Sequence, residues 1–294
     1  MKKYFFYKAI KIKRLISLFF VKRVFKDISD VDFSPVFIIG TNRSGTSITS
    51  SLLSQHPQLE GLFHGNITNK MGTNGHSIGF CESSHIWSFL EDTNSDFYTR
   101  SNEGALWGHP KHISKYYMDG NSKIFSSVIL ANLIQKFRKT KLDPLIKDQW
   151  NMLRIGFIKK YIPSARFILV YRDYEKYIKS CSHKWQQDKI HISTPNIGLH
   201  WLNLNNTAIF DLKKFASNEH AIIAYNDLFN DEEKVQCILN EALKKIGINS
   251  FQFDLSVIDS NAQFAKNNIR SNTHDNFSNI NNIFNYEKNL KGNK

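Results

Sequence analysis

The sequence predicts the α/β class: a three-layer sandwich around a central parallel sheet. Two observations carry this. Short apolar runs end at a glycine or a charged residue, and each is followed by a stretch with helical spacing. The alternation repeats within one chain of 294 residues, enough for one substantial core.

The first run is Val36-Phe37-Ile38-Ile39, closed by Gly40 and read as a buried strand. Thr41 to Ser47 is a small, polar loop. Ile48 to Gln55 has helical spacing and stops at His56-Pro57. Gly61 to Asp119 is rich in Asn, Gly, Ser and His, which reads as loops and short helices suited to substrate contacts. Ile124 to Lys139 is expected as helix, Leu145-Ile146-Lys147 as a short strand, and Asn151 to Tyr161 as helix.

A second buried strand is Arg166-Phe167-Ile168-Leu169-Val170-Tyr171, ended by Arg172-Asp173 and followed by a helix from Tyr174 to about Gln187. His200 to Ala216 is a further helix and Ala221 to Tyr225 a third long strand. Glu232 to Ile246 is an amphipathic helix closed by Gly247. From Asn261 onward the chain is Asn-rich and polar. The expected division is a basic segment over 1–30, one domain over 31–284 and a flexible tail over 285–294.

The formal charge of +13 and pI near 9.5 point to a polyanionic partner: nucleic acid, anionic lipid or an anionic ligand. Nine Lys or Arg stand among the first 26 residues, interleaved with apolar side chains, and no acid precedes Asp27. Such a segment suits a basic helix lying on an anionic membrane surface, and equally a helix packing its stripe on its own domain. No run of 18 apolar residues predicts a membrane span. Cys81, Cys181 and Cys237 are an odd set without C-x-x-C spacing, so neither a disulfide framework nor a zinc site is expected, and a cytoplasmic setting fits. The Asn- and Lys-rich composition suits an AT-rich microbial genome.

Gly40-Thr41-Asn42-Arg43-Ser44-Gly45-Thr46-Ser47 has the length of a Walker A loop, which makes the expected sandwich P-loop-type. Successive backbone N–H groups of such a loop wrap an anion, and the next helix points its positive end there. Thr46 stands where nucleotide triphosphatases carry lysine, and the positive charge has moved to Arg43. The loop suits a phosphate or sulfate cradle; the alternative is a purely structural turn. Arg172, ending the second strand, and Ser180, two helical turns on, make a second anion pocket. The alternative for Arg172 is a surface ion pair.

With these two half-sites the chain resembles the PAPS-dependent sulfotransferases, in their bacterial carbohydrate and tyrosylprotein-like branch; PAPS is 3′-phosphoadenosine-5′-phosphosulfate. Ile39 to Ser47 is similar to the family's 5′-phosphosulfate loop. Pro163 to Asp173 with Ser180 is similar to its 3′-phosphate motif, and Lys184 matches a further basic contact. Tyr225-Asn226-Asp227-Leu228 resembles a strand end whose tyrosine lies near the adenine. Lys147-Asp148 through Leu153-Arg154-Ile155 resembles the segment before the second motif. The chain departs from the pattern at Tyr174, where Pro or Gly is usual, and at Asn226, which replaces an acid. Only Lys266 to Arg270 could stand in for the late glycine-rich loop.

The resemblance implies PAPS as co-substrate, no metal, and donor contacts from Thr41, Asn42, Arg43, Ser44, Gly45, Thr46, Ser47, Arg172, Ser180, Lys184 and Tyr225. It implies Arg43 at the phosphosulfate end and Glu82 or His64 as the base. Lys147, at the end of its strand, is read as a group that neutralises the transferring charge; the alternative is a solvated lysine. Trp87, Trp107, Trp150 and Trp185 are read as core, with one free to stack on a sugar. The expected acceptor is a glycan or lipid-linked saccharide hydroxyl, with protein tyrosine or a small phenol as the alternatives, and no nucleic-acid partner is expected. The rival readings are a P-loop kinase or nucleotidase, and a non-catalytic membrane or nucleic-acid binder.

Overall fold

The computed structural model describes residues 34–62, 113, 117–119, 142–187 and 192–258. Five strands form one sheet in the order β2-β3-β1-β4-β5, every neighbouring pair parallel. They are β1 (Val36–Ile39), β2 (Leu59–Gly61), β3 (Asp143–Lys147), β4 (Arg166–Tyr171) and β5 (His220–Ala224). The helices are α1 (Thr46–Leu53), α2 (Ile155–Tyr161), α3 (Tyr174–Gln187), α4 (Thr194–Phe215) and α5 (Glu232–Lys245).

Strand side chains alternate between two buried cores, as the two-residue period of a pleated strand requires. Phe37, Ile39, Ile146, Phe167 and Leu169 face α2 and α4 through Phe157, Ile158, Leu204, Ala208 and Leu212. Val36, Ile38, Leu145, Ile168 and Val170 face α1 and α5 through Leu52, Leu53, Val235, Leu239 and Leu243. The predicted P-loop-type three-layer sandwich is the observed architecture.

Four elements differ in detail from the sequence reading. Strand β2 was not expected, because Leu-Glu-Gly is too short to show a period; it forms by pairing with β3, with Leu59 opposite Asp143. The helix expected from Asn151 to Tyr161 is split. The Asp148 carboxylate accepts from the Trp150 amide at 3.0 Å and starts a 3-10 turn over Gln149–Leu153. Arg154, at φ −130 and ψ 10, then breaks the helical path before α2. Helix α4 begins at Thr194 rather than His200, with Pro195 in the first turn, where its missing N–H costs nothing. Tyr225 does not end β5; it begins a 3-10 turn over Tyr225–Phe229.

Trp150 and Trp201 are core residues, 2% and 1% exposed. The expected helix at 124–139, Trp87, Trp107 and the basic and tail segments lie outside the described residues, as do the side chain of Trp185 and the division into 1–30, 31–284 and 285–294 as a whole. Among the described residues no helix is long and apolar enough to cross a membrane.

Candidate active site

The C-terminal ends of β1, β3, β4 and β5 converge on the loop after β1, where open parallel sheets bind their ligands. Two glycines permit this crowding. A Cβ on Gly40 would stand 2.4 Å from the Val170 carbonyl oxygen of the neighbouring strand. A Cβ on Gly45 would stand 2.2 Å from Cδ2 of Tyr225, and Gly45 itself has φ +95. Only a residue without Cβ suits both conditions.

Between them Arg43 is the one described non-glycine residue with positive φ, at 64. That left-handed turn exposes the Arg43 side chain and directs its carbonyl toward β4. Ser44 braces the turn, its hydroxyl donating to Thr41 O at 2.6 Å and its amide to the same oxygen at 3.2 Å. Thr41 is buried, and its Oγ1 has no hydrogen-bond partner among the described residues. No side chain caps the N-terminus of α1, so its first-turn amides and dipole face the loop uncapped. Thr46 and Ser47 lie in that first turn, and half-buried Asn42 sits on the loop beside Arg43.

Lys147, the last residue of β3, is 3% exposed and donates from Nζ to Ser47 Oγ at 3.0 Å. A neighbouring strand thus delivers to the loop the ammonium that its sequence lacks. A cation buried at an uncapped helix N-terminus makes that point strongly attractive to an anion.

The second half-site adjoins the first. Arg172 Nη1 donates to the Arg43 carbonyl at 3.0 Å, and the Arg172 guanidinium lies 4.3 Å over the Tyr225 ring. Its Nε is buried without a partner. Burial lowers the pKa of this guanidinium below its ordinary value; Tyr225 opposes the shift and Arg43 adds to it. Arg43 Nε in turn donates to Ser180 Oγ at 3.4 Å. A partly desolvated arginine beside a second arginine is relieved by a bound dianion. Lys184 follows Ser180 by one turn of α3; its side chain is outside the described set.

Three supporting contacts escaped the sequence reading. Trp201 Nε1 donates to Arg172 O at 3.0 Å, fixing the strand end from α4. Asn226 Nδ2 donates to the Asp173 carboxylate, tying the ends of β4 and β5 together. Lys176 stands 3.5 Å from the same carboxylate. The exchange of an acid for Asn226 was visible in sequence; its partner was not. Cys181, next to Ser180, is buried with its thiol pushed up to about 12, chiefly by burial, so it packs rather than reacts.

The structure thus brings together Thr41, Asn42, Arg43, Ser44, Gly45, Thr46, Ser47, Lys147, Arg172, Ser180 and Tyr225. Glu82, His64 and the Lys266 to Arg270 segment lie outside the described residues.

Comparison with curated proteins gives no match. Among solved structures, the chain is similar to a sulfotransferase from Alicyclobacillus acidocaldarius, at 14% identity, TM-score 0.49, and coverage of 81% of this chain and 94% of that one. It is also similar to the sulfotransferase domain from the curacin biosynthetic pathway, at 14% identity, TM-score 0.47, and coverage of 78% and 77%. A third is sulfotransferase STF9 from Mycobacterium avium, at 13% identity, TM-score 0.48, and coverage of 83% and 70%. A family model described as "Sulfotransferase family" matches residues 35–242, which include both half-sites, and the chain belongs to that family.

Proposed function

We propose that this sulfotransferase takes its sulfuryl group from PAPS and passes it to a hydroxyl of a glycan or glycolipid. The observation that carries the donor reading is the joined pair of anion pockets: Arg172 holds the Arg43 carbonyl at 3.0 Å, and Arg43 reaches Ser180 at 3.4 Å. A ligand with a 5′-phosphosulfate and a 3′-phosphate on one ribose carries two anionic groups, one for each of these adjoining pockets. The loop 40–47 and the N-terminus of α1 would take the 5′ end, Arg172 and Ser180 the 3′-phosphate, and the Tyr225 edge the adenine.

In the reaction the acceptor oxygen attacks sulfur in line. The bond from sulfur to the bridging phosphate oxygen breaks, leaving adenosine 3′,5′-bisphosphate, and the acceptor proton passes to a base. Arg43 and Lys147 stand where negative charge develops on the leaving oxygen, the setting in which fixed cations lower a barrier most. Glu82 and His64 are the proposed bases.

The kinase reading is weaker on one count. A P-loop kinase uses the hydroxyl at position 47 to hold Mg²⁺. Here the Lys147 ammonium donates to that hydroxyl, and one cation there repels another.

The motifs resemble carbohydrate and tyrosylprotein members alike, and the acceptor proposal rests on the basic composition of residues 1–26, which suits work at a membrane surface. The donor test is retention on immobilised adenosine 3′,5′-bisphosphate without Mg²⁺; elution by ATP as readily as by the bisphosphate would refute the donor. The acceptor test supplies radiolabelled PAPS to cell extracts with and without the protein. Label in saccharide or lipid fractions is expected, and label confined to protein bands sinks the glycan proposal.

A further inference from the structure

Three described helices end in a pair of lysines. Lys159 and Lys160 close α2, Lys213 and Lys214 close α4, and Lys244 and Lys245 close α5. Helices of a parallel sandwich run back against their strands, so their C-termini gather where the strands begin. Arg166, the first residue of β4, marks that edge. Its side chain donates to Ile246 O just past α5 and to Ser34 O just before β1. The next amide, Phe167 N–H, donates to Glu219 O just past α4. Lys159 Nζ, from α2, donates to Ala165 O at 3.2 Å. The lysine pairs therefore surround one edge, from both faces of the sheet.

The helix dipole favours a cation in each last turn. It does not supply the rest of this edge. Lys160, Lys213, Lys214, Lys244 and Lys245 are exposed. The acids nearby are mostly spent: Glu219 pairs with Lys159 at 3.4 Å, Asp143 with Arg166 at 2.6 Å, and Asp211 is buried against Tyr117. Glu241, one turn before Lys245, and Asp254, beside Gln55, remain exposed. Beside the lysines Phe210 is 62% exposed, with Lys214 Nζ 5.9 Å from its ring. Phe210 also rims an open groove of about 460 Å³ lined by Ile113, Tyr117, Asn206, Thr207 and Asp211. Ser34 and Pro35 sit at this edge too.

We propose that this edge is a docking surface for an anionic lipid bilayer, with the lysines on the headgroups and Phe210, one turn back along α4, flanking them. Exposed aromatic and lysine side chains beside one another are the chemistry of an interfacial site. The donor half-sites lie at the other ends of the strands, about 13–20 Å from the docking edge at ~3.3 Å per strand residue. Resting on the donor reading above, this geometry selects acceptor hydroxyls held well clear of the headgroups, as on an extended lipid-linked saccharide.

The test uses the full chain and sedimentation with vesicles of phosphatidylcholine, with or without phosphatidylglycerol. Binding to the anionic vesicles alone, weakened by salt, is expected. The variant Lys213→Glu, Lys214→Glu, Lys244→Glu, Lys245→Glu should lose more than about tenfold in vesicle affinity, and Phe210→Ser a smaller factor. Both should keep wild-type retention on adenosine 3′,5′-bisphosphate, which reports an intact fold. Should the fourfold Glu variant not fold, the matching Gln variant should still lose affinity. Undiminished binding by a folded charge variant overturns the proposal, as does equal binding to neutral vesicles or capture of duplex DNA in preference to lipid. Failure of the wild type to bind the bisphosphate would refute the donor reading and leave the vesicle result standing.

Discussion

Arg172 grips the backbone carbonyl of Arg43 at 3.0 Å, so the residue that follows β4 also shapes the loop that follows β1. One guanidinium therefore belongs to both halves of the candidate anion site. It contacts the loop through Nη1 and stacks on Tyr225 through its face, while its Nε stays buried without a partner.

Arg172→Ala should weaken binding of adenosine 3′,5′-bisphosphate by about ten- to a hundredfold, the worth of a lost charge-assisted hydrogen bond. Arg172→Lys should recover little, because an ammonium has neither the planar fork nor the flat face for Tyr225. Ser180→Ala should cost about fivefold, as a neutral hydrogen bond does. Calorimetric titration with circular dichroism checks both; full affinity in Arg172→Ala would remove the second half-site.

Asn226→Asp should place two carboxylates side by side, since Asn226 now donates to Asp173. Like charges so close raise a carboxyl pKa. Bisphosphate affinity should therefore fall at pH 8 and recover toward pH 5, where one carboxyl keeps its proton. The swap of Asp173→Asn with Asn226→Asp should restore the pair at all pH values. A swap as weak as the single variant would show that the pair does not position Arg172.

Gly45→Ala should destabilise the chain by about 1–3 kcal/mol, through positive φ and contact with the Tyr225 ring. In a Tyr225→Ala background the cost should shrink to the backbone part alone. Urea unfolding of the four proteins measures the coupling. Equal costs in both backgrounds would mean that the ring yields freely.

His200 sets a pH dependence of stability. It is fully buried on α4, and burial lowers its imidazole to about 3. The folded chain keeps the ring neutral, whereas the unfolded chain takes up a proton below about 6.5. Stability from this group is thus complete above that pH and declines as pH falls toward 3. By pH 5 the loss should be about 2 kcal/mol. His200→Gln should flatten the pH 5–7 part of the stability profile, read by urea midpoints; an unchanged slope would assign the dependence elsewhere.

Much of the site was legible before any folding was known. Gly40 to Ser47 announces itself through glycine spacing and small polar residues, and Arg172 through its place at the end of an apolar run. Those signals are local, because a turn or a strand is decided by neighbours a few residues apart. Lys147 was marked by its place at a strand end, but its hold on Ser47 was not readable, since 100 residues separate them. Trp201 carried no mark at all; as one more apolar residue on a helix, it resembled any core tryptophan. Glu82 and His64, proposed as the base from sequence alone, lie outside the described residues.

The amino-acid order by itself determined the longer strand, loop and helix units, their succession, the missing lysine at Thr46 and the cationic excess. Tertiary structure alone decided that β1 lies between β3 and β4. That placement sets Lys147 on one side of the loop and Arg172 on the other. The physical reason is range: side-chain periodicity records which face of a strand is buried, while strand order depends on how two apolar faces are covered at once by helices far apart in the chain. A pocket made between strands exists only after that choice.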